Sequence, residues 1–311
     1  MFKISKPSFW NDRKSIFPIL LFPITFLVLC FLVIKRKIVK SREFNTPIIC
    51  VGNIYLGGTG KTPLAIEIVK SLIENKKKPA LVKKYYKNQL DEQNQIRSSL
   101  DCMILNKSRI KAIEEAENKK FDLIVLDDGY QDLSFKKDMN IICFSSNQSI
   151  GNGFVIPSGP LRENLNTLKK ADVALINGEK NLFLEEKIKK ISDKIEIFYS
   201  KYSLLNLEKF RNKKLVAFAG IGNPENFFEL LKKNNLNLQK CFKFPDHYHF
   251  SKKELKKILD YGEKNGFEIV TTEKDYLRIK NYGFSNINCI KIKLNIEQKN
   301  KFINKVLNTS P

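Results

Sequence analysis

Histidine is nearly missing from this sequence: there are two in 311 residues, both inside the segment FPDHYHF. A metal centre built on three imidazoles is therefore excluded. Cysteine occurs six times, at Cys30, Cys50, Cys102, Cys143, Cys241 and Cys289, but never as a C-x-x-C pair. That spacing, mostly within apolar runs, argues against a disulfide framework or zinc site and fits reduced thiols in a cytosolic body. Acidic residues are short as well, with 33 Asp and Glu against 55 Lys and Arg, for a formal net charge of +22. The excess points to an anionic partner, whether a membrane surface, a phosphorylated substrate or nucleic acid; a general enrichment in lysine would give the same total. Apolar residues are not lacking. At 42% hydrophobic and 28% charged, the chain is long enough for one large or two modest α/β domains.

One apolar run is long. From Ile16 to Ile34 the only polar residue is Thr25, and Lys35, Arg36 and Lys37 follow at once. A helix crossing a bilayer core needs about twenty such residues, and Pro18 and Pro23 are tolerated near the start of a membrane segment. A cleaved signal peptide and a buried core helix are the rivals. The basic end and the missing small-x-small cleavage site weigh against the first. Basic residues flank both sides, so spanning and interfacial placements both stay open.

Beyond the run, TPIICVGNIYLGGTGKT reads as a buried strand entering a glycine-rich turn, and Leu64, Ile68 and Leu72 then follow the helical period. PALVKK, DCMIL, FDLIVLDD, NIICFSS and ADVALING supply further continuously apolar strands, with a helix around Ile110–Asn118, while Tyr85–Ser99 reads as a polar loop. Strands of this kind alternating with helices predict a parallel sheet covered on both faces. A fresh strand–turn–helix begins near Lys213, with Pro224 and Glu225 opening its helix. Ser251 with Glu254, and Thr272 with Asp275, read as later helix caps. The break between lobes is expected between Ile197 and Asn212.

Four groups of residues could carry chemistry. Residues Tyr55, Leu56, Gly57, Gly58, Thr59, Gly60, Lys61 and Thr62 occupy the phosphate-loop pattern G-x-x-x-x-G-K-[ST], with Tyr55 where the strict pattern has glycine. Backbone N–H groups of such a turn at a helix N-terminus hold an anion, Lys61 adds charge, and Thr62 offers a hydroxyl to Mg²⁺. Asp127 and Asp128 end an apolar strand and suit the same metal, though Asp-Asp-Gly is equally good turn chemistry. The DHYH segment could supply a histidine–carboxylate pair that activates a hydroxyl, or ordinary surface residues. In PSGPLREN a rigid loop presents Arg162 and Glu163; the arginine suits a substrate phosphate or plain solvent.

Together these segments resemble one family, the tetraacyldisaccharide 4'-kinases of lipid A biosynthesis. The matching pieces are VGNIYLGGTGKTP, LDDGYQD, GNGFVIPSGPLRE, FAGIGNPENFF, DHYHFS and TTEKD, in the family's order and over nearly the whole chain. The resemblance implies a P-loop-type parallel-sheet domain with an N-terminal membrane helix and a second, smaller α/β domain. The expected division is a membrane anchor at 1–40, a kinase core at 41–205 and a small C-terminal domain at 206–311. It implies phosphorylation of the 4'-hydroxyl of a tetraacylated glucosamine disaccharide 1-phosphate with ATP and Mg²⁺, at the cytoplasmic face of the inner membrane of a Gram-negative bacterium. The lipid A precursor and membrane lipids would be the partners, with no nucleic acid and no obligate protein partner. Lys61 and Thr62 would bind phosphate and metal, Asp127 and Asp128 the metal, and Arg162 and Glu163 the substrate. The family's general base falls on Asp91 in LDEQ, with His247 as its helper. The family's glycine-rich segment between phosphate loop and base appears here as KKYYKN, and an arginine expected after ILNKS falls on Asn106, Lys107 or Arg109. The rival of another class is a membrane-attached P-loop switch or partition-type ATPase.

Overall fold

Ile48, Ile49, Cys50, Val51 and Gly52 are buried without a break, as a strand covered by helices on both faces requires. The computed structural model describes residues 7–12, 14–246 and 248–309, with Asn88 and Asp91 through their backbone alone. Along the chain run α1 (Phe17–Ile38), β1 (Ile48–Gly52), α2 (Lys61–Glu74), β2 (Pro79–Lys84), α3 (Leu90–Arg97), β3 (Met103–Asn106), α4 (Arg109–Asn118) and β4 (Leu123–Asp127). Next come β5 (Met139–Ser145), β6 (Val173–Asn177), α5 (Leu182–Ile191), β7 (Glu196–Leu204), β8 (Lys214–Ala219), α6 (Pro224–Lys233) and β9 (Asn237–Lys243). The chain ends with α7 (Lys252–Asn265), β10 (Glu268–Thr272), α8 (Glu273–Ile279), β11 (Ile287–Ile290), β12 (Ile292–Ile296) and α9 (Lys299–Leu307).

The strands form an eight-stranded sheet in the order β12-β7-β6-β5-β1-β4-β2-β3 and a four-stranded sheet in the order β11-β10-β8-β9. Pairings from β7 through β3, and all those in the smaller sheet, are parallel. The expected α/β class, a parallel-sheet part with one apolar N-terminal helix and a second, smaller α/β part, is therefore borne out. In the larger sheet the chain leaves β1 for β2, two places away, then returns to place β4 and β5 on either side of β1. Open α/β sheets bind ligands at the carboxyl ends of strands flanking such a reversal.

Two compact units emerge. One holds 7–85, Leu100–Lys201 and 295–309; the other holds Tyr86–Ser99 and Tyr202–Leu294. The step from Lys201 to Tyr202 lies inside the expected interval for a lobe break, but two segments sort differently from a simple division at 205. α9 returns to the first unit, burying Phe302, Ile303 and Val306 and pairing Lys299 with Glu67 of α2 at 2.8 Å. α3 joins the second unit, packing on α8. The polar composition of Tyr85–Ser99 predicts a loop, and α3 corrects it. Its inward face uses Gln93, buried and donating to the Tyr86 carbonyl at 2.8 Å, beside buried Ile96. A buried glutamine conceals a helical period from any reading of apolar positions.

α1 docks along one stripe. Pro18 and Thr25 are buried, and Val28 and Leu29 pack against the core of the larger sheet's unit. Thr25 Oγ1 donates to Ser158 Oγ at 2.7 Å, and Ser158 Oγ donates to the Pro18 carbonyl at 2.8 Å. The rest of the helix leaves Ile19, Leu20, Phe26, Leu27, Phe31 and Ile34 exposed. By length and composition it could cross a membrane.

Ser251 and Glu254 form the reciprocal cap expected for α7, and Glu254 also accepts from the Tyr248 hydroxyl at 2.6 Å. Hydrogen bonds from Ser251 first, then Tyr248, draw the Glu254 carboxyl from 4.5 down to about 2. Because the folded value is depressed, this contribution is complete above about pH 4.5 and is lost as pH falls towards 2. Ser251→Ala is expected to lower stability by about 1 kcal/mol near neutral pH, read as an earlier urea midpoint. The deficit should shrink in acid.

Candidate active site

The glycine-rich turn leaves β1 and enters α2 through Gly60, whose φ of 91° is left-handed, as is the φ of 142° at Gly57. Substituted residues rarely hold these angles, so the glycines set the path of the loop. Asn53 shapes it from within, donating from Nδ2 to the carbonyls of Tyr55 at 2.7 Å and Gly57 at 3.2 Å. Tyr55, at the position where the strict pattern has glycine, is a buried core residue whose backbone bridges Leu161. Flanking bonds from Leu56 N to the Pro160 carbonyl at 2.8 Å and from Arg162 N to the Ile54 carbonyl at 2.7 Å continue that seam. The PSGPLREN loop is thus tied to the residues just before the glycines, which brings Arg162 to the phosphate loop.

At the carboxyl end of β4 the two aspartates part. Asp127 is 0% exposed, and its Oδ2 accepts from Thr62 Oγ1 at 2.9 Å and from Lys83 Nζ at 2.6 Å. Asp128 turns away with a left-handed φ of 58°. Its Oδ1 lies 3.5 Å from Lys61 Nζ and 3.1 Å from Arg162 Nη1. Burial works to raise the Asp128 pKa, but Lys61, Arg162, Lys83 and Arg109 outweigh it and hold the carboxyl below its usual range. Of the three residues open for the expected arginine position, Arg109 reaches this corner. It donates from Nη2 to the Asp128 carbonyl at 2.6 Å and from Nη1 to Asp132 at 3.1 Å.

Thr62 and Asp127 fit a divalent metal. Asp127 Oδ1 is buried and has no hydrogen-bond partner, while a hydroxyl meets the other oxygen of the same carboxylate. Hard oxygen donors of this kind suit Mg²⁺, which commonly takes one or two carboxylates and completes its shell with water and nucleotide phosphates. No cage of three or more His, Cys, Asp or Glu exists among the described residues. Asp128 is engaged by cations. Glu163 is buried and paired with Arg36, at the end of α1, at 3.3 Å.

The second unit carries the remaining candidates. His247 lies outside the described residues, and only the backbone of Asp91 is described, in the first turn of α3. Their neighbours converge: Lys274 Nζ lies 3.0 Å from Glu92 and 3.7 Å from Asp246. The TTEKD segment thereby ties α3 to the DHYH segment. Within TTEKD, Thr272 caps α8 and Asp275 accepts from Gly220 N at 2.9 Å. Sequence reasoning missed Lys83, Lys274 and Arg36. The first had a signal, a lysine interrupting the apolar end of a strand.

The family model of tetraacyldisaccharide-1-P 4'-kinase matches residues 17–310. The chain is 40% identical over 309 residues to the tetraacyldisaccharide 4'-kinase of Pelagibacter ubique, covering 98% of each. It is 29% identical to the enzyme of that name from Rickettsia bellii, over 98% of this chain and 99% of the relative. Among solved structures, LpxK from Aquifex aeolicus, crystallised in complex with ATP, shares the fold with a TM-score of 0.72 and 21% identity, over 94% of this chain and 99% of that one. With its phosphate loop, its aspartate pair and a family match of this extent, the chain belongs to the tetraacyldisaccharide 4'-kinase family of lipid A synthesis.

Proposed function

We propose that the chain performs its family's reaction with ATP and Mg²⁺ held at Tyr55–Thr62, sending the phosphoryl group to the 4'-hydroxyl of a tetraacylated glucosamine disaccharide 1-phosphate. The observation that carries this reading of the site is the Thr62–Asp127 contact at the loop, with the second carboxylate oxygen left unpaired. Backbone N–H groups of the loop and Lys61 hold the β- and γ-phosphates and offset charge that develops during transfer. Thr62 and Asp127 hold the metal; bound there, Mg²⁺ neutralises phosphate charge. Arg162, kept beside Lys61 by their shared contact with Asp128, engages a phosphate of the reactants through a planar fork. Glu163 supports that loop by fastening Arg36. Asp91 removes the acceptor proton with help from His247.

Membrane lipids meet the open face of α1. The middle of the helix is fastened to Ser158 through Thr25, which favours an interfacial placement over an isolated span. Confinement to the cytoplasmic face of the inner membrane keeps enzyme and lipid acceptor in one plane, raising their effective concentration. A partition-type ATPase is not favoured by a family match running from 17 to 310.

Thr62→Val keeps the shape and removes the hydroxyl. The Mg²⁺ concentration giving half-maximal transfer should rise by about tenfold or more, comparable to losses on disturbing other metal sites. A Mg²⁺ titration at fixed ATP reads it. An unchanged requirement would remove Thr62 from the metal site.

A further inference from the structure

The segment 152–163 is held from two sides by parts of the unit that contains the larger sheet. On one side lie α1 and the turn before it. Trp10 Nε1 donates to the Pro157 carbonyl at 3.0 Å, and Asn152 N donates to the Trp10 carbonyl at 2.7 Å. Ser158 is fully buried, and its N–H donates to Thr25 Oγ1 at 3.1 Å in addition to the hydroxyl contacts with Thr25 and Pro18. Glu163 closes this side against Arg36. On the other side lie the residues that open the phosphate loop. Leu56 bonds Pro160, Ile54 bonds Arg162, and Tyr55 bridges Leu161. The Tyr55 hydroxyl also donates to Asn11 Oδ1, ahead of α1, at 3.4 Å. A Cβ at Gly159 would collide with Asn152 and the Phe154 carbonyl, so the segment is packed on itself and has little room to absorb a displacement. One contiguous network joins the helix with the open apolar face to Arg162, which meets Asp128 beside Lys61.

We propose that Thr25, Ser158 and Arg36 are positioning residues for Arg162, through which seating of α1 on a lipid surface and occupation of the phosphate loop by nucleotide favour one another. Each event orders the 152–163 segment, so the second costs less conformational entropy than it would alone. The surface is an anionic bilayer, matched by Lys35 and Lys37, which stand exposed in the last turn of α1. The inference rests on the readings of α1 as lipid-facing and of Tyr55–Thr62 as the nucleotide's holder.

Partition of the full-length protein onto vesicles of phosphatidylethanolamine and phosphatidylglycerol tests it. The protein is diluted out of detergent and sedimented with the vesicles, with and without Mg²⁺ and a non-hydrolysable ATP analogue. No acceptor is present, so turnover plays no part. The analogue should raise the partition coefficient by about fivefold or more, and saturating vesicles should tighten analogue binding by the same factor, because linkage is reciprocal. Ser158→Ala and Arg36→Met should still bind vesicles and analogue but bring that factor towards one. Arg36→Lys, which keeps a cation at Glu163, should preserve it. A residue that only stabilised the fold would weaken both affinities and leave their linkage intact. Independent binding of vesicles and analogue by the wild type overturns the proposal while both readings beneath it stand. Retention of the full factor by Arg36→Met, whose side chain is partly exposed and whose folding is least at risk, also overturns it. Protein that never sediments with vesicles removes the lipid-facing reading of α1, protein that never binds the analogue removes the nucleotide reading, and the proposal falls with either.

Discussion

Asp127→Ala should lower folding stability by about 3–5 kcal/mol, because it removes one partner of a buried ion pair. Lys83 has reached Asp127 across two paired strands, and both side chains are shut away from water. Neutral asparagine would keep an acceptor near Nζ and should cost less than alanine. Substitution of both partners by apolar residues of similar volume should recover much of the loss, since a buried ion pair is worth little beyond a well-packed apolar pair. Urea denaturation of Asp127→Ala and of the Lys83→Met/Asp127→Leu pair measures this. A loss under about 1 kcal/mol for alanine would mean that Lys83 finds water or another carboxylate when Asp127 is gone.

Asp91→Asn should cut turnover by about 10²–10⁴-fold while leaving the affinity for ATP unchanged. Asparagine preserves size and hydrogen-bonding capacity but cannot take a proton. Asp91 stands in the first turn of α3, which is fastened by Glu92 to Lys274, and Lys274 in turn lies against Asp246 of the DHYH segment. Lys274→Met, which loosens both segments, should lower turnover less than Asp91→Asn. Single-turnover rates and equilibrium ATP binding separate the effects. Wild-type turnover in Asp91→Asn would assign the proton to another group.

The parallel strands, the phosphate loop and the strand-end aspartates were legible because each is written in local pattern. Ile48–Gly52 and Leu123–Asp127 are uninterrupted apolar strands, and glycines with Lys61 and Thr62 follow the first of them. The caps at Ser251 and Thr272 were legible for the same reason. What escaped depends on pairing between distant segments. α3 was hidden by the burial of polar Gln93. α9 belongs to the first unit because of Phe302, Ile303 and Val306 and its ion pair to Glu67, which no spacing within 299–307 announces. Lys83 and Arg109 reach the aspartates through strand register and helix placement. Glu163, read as a substrate contact, faces Arg36, and only the docking of α1 reveals that pair.

Transfer of labelled phosphate is the most direct test of the central claim. The purified detergent-solubilised protein is incubated with γ-labelled ATP, Mg²⁺ and a tetraacylated glucosamine disaccharide 1-phosphate, and the lipid is then extracted. Label should appear on the 4' position of the lipid, and both chelation of Mg²⁺ and Lys61→Met should abolish it. Steady release of labelled inorganic phosphate with no labelled lipid would contradict the account.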